Sequence, residues 1–391
     1  MPLIIGNHSE PIDPDHDFAS FDTLFSNFPN LAASTFNIFD GETTPNSYDC
    51  ERNPVLYIMQ GEMAIVSPQD ETIKFILTDD TTTCISGVIR HCRSGLTCLA
   101  HFDQPLDIFS DSLDTLLEKM NRLGLSLPKI EANKRSSNVI DHSDPFNEID
   151  FELYLIGGYC DEMKTSEKLT TFLLTRFHQV VHYQINLVCA FIGPLNTKSI
   201  HIADSLRIPG GANIPAPKVY GVAVDVCNGT IINATLNRKS NSDLSNVIPM
   251  YDIRRASVSF SSEKKLREIY DPERRLLTIE PVSFYQVNSA EALIYFNYAL
   301  RLRDQDILKK FSTSPYVEPD HFVQDTRNNF QFFLNNRHRN IRRMYFSNDQ
   351  PRRFRHYRLL CQLDNFNKPG NSSQQSSSSV QYRWKEFTAI N

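Results

Sequence analysis

No two of the eight cysteines stand in a CxxC arrangement, which argues against a zinc ribbon or a thioredoxin-type motif. No run approaches the roughly 20 apolar residues that a bilayer-spanning helix needs. The opening stretch MPLIIGNHSEPIDPD has no basic region and no long apolar core, so no secretory signal is expected in it. A net charge of −6 over 391 residues argues against a general nucleic-acid binder or a membrane-surface protein. No internal repeat is visible. With no secretory signal, the cysteines are expected to be reduced, in the cytoplasm or nucleus. Most should be buried apolar fillers.

The chain instead carries short apolar runs, and its length allows a sizeable core. Strands are expected at 55–59, 62–67 and 72–77, then at 84–91 and 96–101, with a turn at Pro68-Gln69-Asp70. A helix is expected over 105–124, ending at Gly124. A strand at 151–158, a helix at 164–179 and a buried strand at 183–193 follow. VYGVAVDV and TIINATL flank an Asn228-Gly229 hairpin turn. A strand is expected at 275–282, with helices at 291–304 and 320–336. Residues 125–148 and 194–217 read as long inserted loops. The Ser/Gln-rich stretch 365–380 reads as disordered, and 381–391 as a final strand. This order predicts an α+β fold: a mixed or antiparallel β-sandwich core with helices packed on the outside.

The segment TDDTTTCISGVIRHCRSGLTCLAH, 78–101, concentrates the chemistry. Pairing Ile89 with Leu96 across the Cys92–Gly95 turn sets Cys84 opposite His101, and an even slip of register keeps them on one face. Opposed Cβ atoms lie about 4.5–5.5 Å apart, so an imidazole reaches a sulfur. A thiolate–imidazolium pair of this kind supplies a nucleophile at neutral pH and an acid for the leaving group. Thr78 offers a hydroxyl to orient the ring, and the Asp79–Thr83 loop offers N–H groups to an oxyanion. On spacing alone, an ordinary packed hairpin is the commoner reading of these residues. A metal site from His91, Cys98 and His101 matches no usual zinc spacing.

Here the chain resembles the protein N-terminal asparagine amidohydrolase family. The likeness runs through LYIMQGEMAIVSPQD (56–70), DDTTTC…RH…TCLAH (79–101), LYLIGGYCDE (153–162), YGVAVDV (220–226) and LKKFSTSPYVEPDHFV (308–323). It echoes weakly in FSND and YRWKEF. The Cys-to-His spacing, with a hydroxyl residue six before the cysteine, is also similar to that of bacterial chemotaxis-receptor glutamine deamidases and related toxins. The resemblance implies one catalytic domain over 1–364 and a cysteine-deamidase-like fold. It implies Cys84 as nucleophile, His101 as base and Thr78 as orienting hydroxyl. The implied reaction converts N-terminal Asn to Asp, with no metal or organic cofactor. Arginyl-transfer and ubiquitin-ligase machinery is then expected downstream.

Selecting a chain terminus requires a carboxylate for the substrate ammonium, because burying that charge unpaired costs several kcal/mol. Asp79, Asp80 and Glu318 are the candidates, and Ser314 of STSPYVEP is a further substrate contact. Deamidation of internal Gln or Asn by the same dyad, and a noncatalytic interaction protein, are the alternatives. The arginine-rich stretch 337–360 reads as a helix end followed by a strand with an exposed charged face rather than as a nucleic-acid patch. Proteins or peptides bearing N-terminal Asn are the expected partners, with neither nucleic acid nor membrane.

Overall fold

The computed structural model describes residues 3–6, 11–36, 44–105, 109–130, 149–202, 211–238, 244–263, 265–284, 289–336, 340–361 and 379–387. Two sheets form its centre. The seven-stranded one runs Leu3–Ile5, Ile185–Ile192, Phe151–Gly157, Ile85–His91, Thr97–Phe102, Glu62–Val66, Arg267–Glu268, with parallel and antiparallel neighbours. The five-stranded one runs Asn46–Tyr48, Ile231–Leu236, Val222–Asp225, Phe75–Thr78, Val55–Tyr57.

Strand periodicity explains how the sheets stack. Along Thr97–Phe102, Cys98, Ala100 and Phe102 join an apolar cluster with helices Phe109–Ser126 and Thr165–Gln179. Leu99 points the other way and meets Val66, Val88, Ile76 and Val224 in a second cluster shared by both sheets. The architecture is therefore α+β, with a β-sandwich covered by helices, as the element pattern predicts.

The hairpin register differs from the expected one by two residues. His91 N donates to Leu96 O at 2.9 Å and Gly95 N to His91 O at 2.8 Å, closing a tighter loop with Gly95 at a φ of +71°. That positive φ suits glycine, so His91 rather than Ile89 pairs with Leu96. Ser86, not Cys84, then lies opposite His101. The slip is even, so side-chain parity survives.

Other elements depart from expectation for local reasons. The 105–124 helix is Phe109–Ser126 and passes through Gly124, because the His91 ring would lie within 2.2 Å of a Cβ there. Gly124 serves a close approach rather than a stop. The supposed loop 194–217 contains a hairpin, Thr197–Ile202 with Ala212–Pro217. Its prolines are tolerated because a two-stranded sheet has an open side. Helices Phe21–Asn27, Tyr251–Phe260 and Asp304–Phe311 were not expected. Most of 125–148 and of the Ser/Gln-rich stretch lies outside the described residues. The final strand is Ser379–Glu386, paired with Arg352–Cys361.

One buried ion pair ties the Tyr251–Phe260 helix to the sandwich. Arg254 and Glu62 are 2% and 1% exposed. Arg254 Nε and Nη2 donate to the two Glu62 carboxylate oxygens at 3.0 and 2.6 Å, and Nη2 also reaches Tyr57 O at 2.7 Å. Burial raises the Glu62 pKa, but Arg254 and Arg267 outweigh it and hold the carboxyl below its usual value. Removing one partner leaves a buried charge alone, which costs about 3–5 kcal/mol. Arg254→Met is accordingly expected to lose that much unfolding free energy in urea titrations, and adding Glu62→Leu to recover most of it.

Candidate active site

The site lies where both sheets end in one cleft of about 590 Å³. Thr78 closes the Phe75–Thr78 strand, with Ile76 in the inter-sheet core, so two residues on its own side chain also faces the opposite sheet. His101 shares a face with Leu99 for the same reason. The two meet across the sandwich, Thr78 Oγ1 and His101 Nδ1 being 2.8 Å apart. Thr78 is fully buried and His101 is 2% exposed. His101 Nε2 has no hydrogen-bond partner among the described residues. Cys84 lines the same cleft as His101, immediately before the Ile85–His91 strand, and is 8% exposed.

The peptide before Cys84 is fixed from several directions. Thr81 N and Oγ1 both donate to Tyr220 O, at 2.8 and 2.7 Å. Thr83 O accepts from Ser166 Oγ at 3.3 Å, and Thr83 Oγ1 lies 2.9 Å from Thr313 Oγ1. A Cβ at Gly157 would come within 2.7 Å of Cys84 O. Two of the loop N–H groups are already committed, Thr81 to Tyr220 O and Thr82 to Asp80 O.

Burial acts against a standing ion pair. It pushes the Cys84 thiol well above its ordinary value, with Asp103, Glu318 and Asp80 adding to the effect. It also pulls His101 down to about 4, despite the opposing pull of Asp80 and Glu62. Both groups are neutral at pH 7, so the thiolate–imidazolium pair expected from the hairpin is not the resting state. Water cannot solvate either charge here, and no hydrogen bond between the two compensates.

The paired aspartates divide by environment. Asp79 is buried and saturated: it accepts from Tyr57 OH at 2.5 Å, Leu236 N at 2.8 Å and Thr235 Oγ1 at 3.2 Å. Burial and the adjacent Asp80 raise its pKa. Asp80 sits at the unusual φ of +60°. Its Oδ2 meets Arg238 Nη2 at 2.5 Å and His321 Nε2 at 2.9 Å. Burial raises its pKa, but those two partners outweigh it, so the carboxyl stays below its ordinary value. Glu318 also lines the cleft, hydrogen-bonded by Ser312 Oγ, and burial lifts it to about 7. Ser314 is buried outside the lining.

Arg238, His321 and Tyr57 were not anticipated. His321 was legible only as a member of the STSPYVEPDHFV motif, while Arg238 lies in a stretch without periodic signal. His91 packs on Gly124 and its Nδ1 lies 2.8 Å from Ser94 Oγ, a structural setting. Among the described residues no group of three His, Cys, Asp or Glu is arranged to hold a metal ion.

A thiol, an imidazole oriented by a hydroxyl, and acids sharing one cleft make up a set able to carry amide hydrolysis. Residues 45–361 match the family model of the protein N-terminal asparagine amidohydrolases. The proteins of that name from Sus scrofa and Homo sapiens are each 29% identical over 278 residues, 71% of this chain and 74% of theirs. The one from Arabidopsis thaliana is 26% identical over 324 residues, 78% of this chain and 80% of its own. The chain belongs to the protein N-terminal asparagine amidohydrolase family and is an amidohydrolase.

A neutral, buried Cys84 should resist alkylation, whereas Cys160 and Cys227 are exposed. Iodoacetamide at pH 7 is expected to label those two before Cys84 in time-resolved peptide mapping. Faster labelling of Cys84 would indicate a standing thiolate.

Proposed function

We propose that this protein hydrolyses the side-chain amide of N-terminal Asn residues, releasing ammonia and leaving Asp. The observation that carries the reading is the Thr78–His101 hydrogen bond, which engages Nδ1 and leaves Nε2 without a partner among the described residues, in the cleft that Cys84 lines. The names of the related proteins supply the substrate class.

In this mechanism Nδ1–H donates to Thr78 Oγ1, so Nε2 is the basic nitrogen. As Cys84 Sγ attacks the amide carbon, Nε2 accepts the thiol proton. The thiolate therefore forms only with substrate in position, in keeping with a resting pair that burial keeps neutral. Main-chain N–H groups of the Thr83–Cys84 stretch hold the oxyanion. The C–N bond breaks, and His101 gives its proton to the departing ammonia. Water then attacks the thioester, His101 takes its proton, and the Cys84 thiol is restored with Asp as product. One water is consumed for each ammonia released.

Glu318 and Asp80 are the groups we assign to the substrate α-ammonium, and Asp79 is their structural support. Discrimination against Gln, one methylene longer, cannot come from binding alone, since that is worth about 1–3 kcal/mol. The position of the carbonyl against Sγ must supply the rest. The Asp-ended product would pass to arginyl transfer and ubiquitin ligation. The reduced thiol that the chemistry needs suits the cytoplasm or nucleus.

Peptides ending in Asn, Gln and acetyl-Asn separate this reading from internal deamidation. Mass spectrometry should record a gain of about one dalton on the free Asn peptide alone, and Cys84→Ala should abolish it. Equal reaction of the acetylated peptide would overturn the terminal specificity. The pH profile identifies the ammonium reader. Glu318 must be ionised to act, and its carboxyl is lifted to about 7, so kcat/KM should fall as pH drops through that value. The substrate amine must stay protonated, so kcat/KM should fall again above about pH 8. Glu318→Gln should remove the acid limb near 7 along with much of the rate. A limb that persists in that variant assigns the role to another group.

A further inference from the structure

We propose that the cleft holds a second subsite, lined by aromatic rings, for the side chain that follows the terminal Asn, and that it favours large apolar residues there. This rests on the reaction proposed above and extends it to the substrate's second position. One amide and one ammonium do not fill a cleft of 590 Å³. That size falls in the range of about 300–1,000 Å³ typical of pockets for far larger ligands.

The lining includes a catalytic set and a group of apolar side chains, the latter interleaved with Arg255, Asp325 and Asn329. Cys84, His101, Asp80 and Glu318 make up the first, while Val258, Phe260, Tyr295, Phe311, Phe322 and Phe330 supply an apolar wall. The rings brace one another. Phe311 lies 5.2 Å from Phe330 and 6.3 Å from Tyr295, and Phe260 lies 5.8 Å from Phe330. Such edge and tilted contacts fix the wall before substrate arrives, so little ordering entropy is lost on binding. Phe260, Phe311 and Phe322 are only half-buried, and Tyr295 is 40% exposed at the rim. Lys310 Nζ holds the rim from outside, 5.3 Å from the Tyr295 ring and 4.9 Å from that of Tyr298. The charged members near the wall are paired: Arg255 bonds Asp252, Asp325 and Asn329.

The wall is also joined to the segment that carries the thiol. Thr313 touches Thr83, the residue before Cys84, and Phe311 lies two residues earlier on the same strand of chain. Their Cα atoms are thus at most about 7 Å apart. An extended substrate advances about 3.3 Å per residue and alternates its side chains. With the first side chain at Sγ and its ammonium against an acid, the next one turns toward Phe311 and Tyr295.

The test uses the full chain and three peptides, identical except for Gly, Leu or Phe after the terminal Asn. The expected result is a kcat/KM at least about 10-fold higher for Leu and Phe than for Gly, expressed mainly in KM, as for binding shared by ground and transition states. In Tyr295→Ala, with a thermal melt as fold control, the Leu-to-Gly ratio should shrink by about threefold, the scale of partial loss of an apolar contact. A flat profile with robust turnover overturns this inference and leaves the parent reaction intact. So does a Tyr295→Ala variant that slows all three peptides alike. No turnover of any of the three overturns the parent reaction and this inference with it.

Discussion

One hydrogen bond between sheets organises the rest of the site. Thr78 and His101 come from different layers of the sandwich and meet with their polar atoms 2.8 Å apart inside its core. An unpaired polar atom buried there would cost about 1–3 kcal/mol, so the contact and the packing of the sheets enforce each other. The imidazole's orientation is therefore a property of the whole sandwich rather than of a mobile loop. Valines 66, 88 and 224 and leucines 56 and 99, packed between the same sheets, hold the ring by holding the sheets together.

Burial sets the resting electrostatics around that bond. The enclosure that orients His101 also strips it of water and keeps it neutral, and burial raises the thiol that lines the same cleft. In the proposed reaction such a neutral pair transfers its proton only during attack, which spares the free enzyme a reactive thiolate. The acids respond in opposite ways because their partners differ. Asp79 meets Arg238 only at 3.5 Å, so burial and the neighbouring Asp80 prevail and raise its pKa. Asp80 has Arg238 at 2.5 Å and stays ionised.

Strand parity was legible in the sequence, and register was not. The alternation through CISGVIRH and LTCLAH assigned His101 and Cys84 to one face, and parity survived a two-residue slip because the side-chain period is two. The slip came from Gly95, whose left-handed backbone closes a shorter loop than its neighbours suggest. Gly124 misled similarly: glycine at a helix end usually stops it, but here it makes room for His91. The charged partners could not be read locally. Arg254 completes Glu62 across 192 residues and Arg238 completes Asp80 across 158, and no local period encodes such pairings.

That uneven legibility follows from what each part must do. Cys84, His101 and Thr78 sit on or beside central strands; the proton transfer proposed for them needs placement to about half an ångström, and rigid sheets give that precision. The groups facing the cleft from the other side belong to the helices Tyr251–Phe260, Asp304–Phe311 and Phe322–Asn335 and the loop carrying Glu318. These need only present charge and apolar surface of the right shape, which many sequences satisfy. The first and last of these helices are anchored away from the cleft, through Arg254 on Glu62 and through Ile253, Ala256 and Phe333 in the apolar core. A change in a cleft-facing ring of this layer thus need not disturb the bond between Thr78 and His101. In the proposed reaction the chemistry falls to the sheets and recognition to helices braced against them through Glu62 and the shared core.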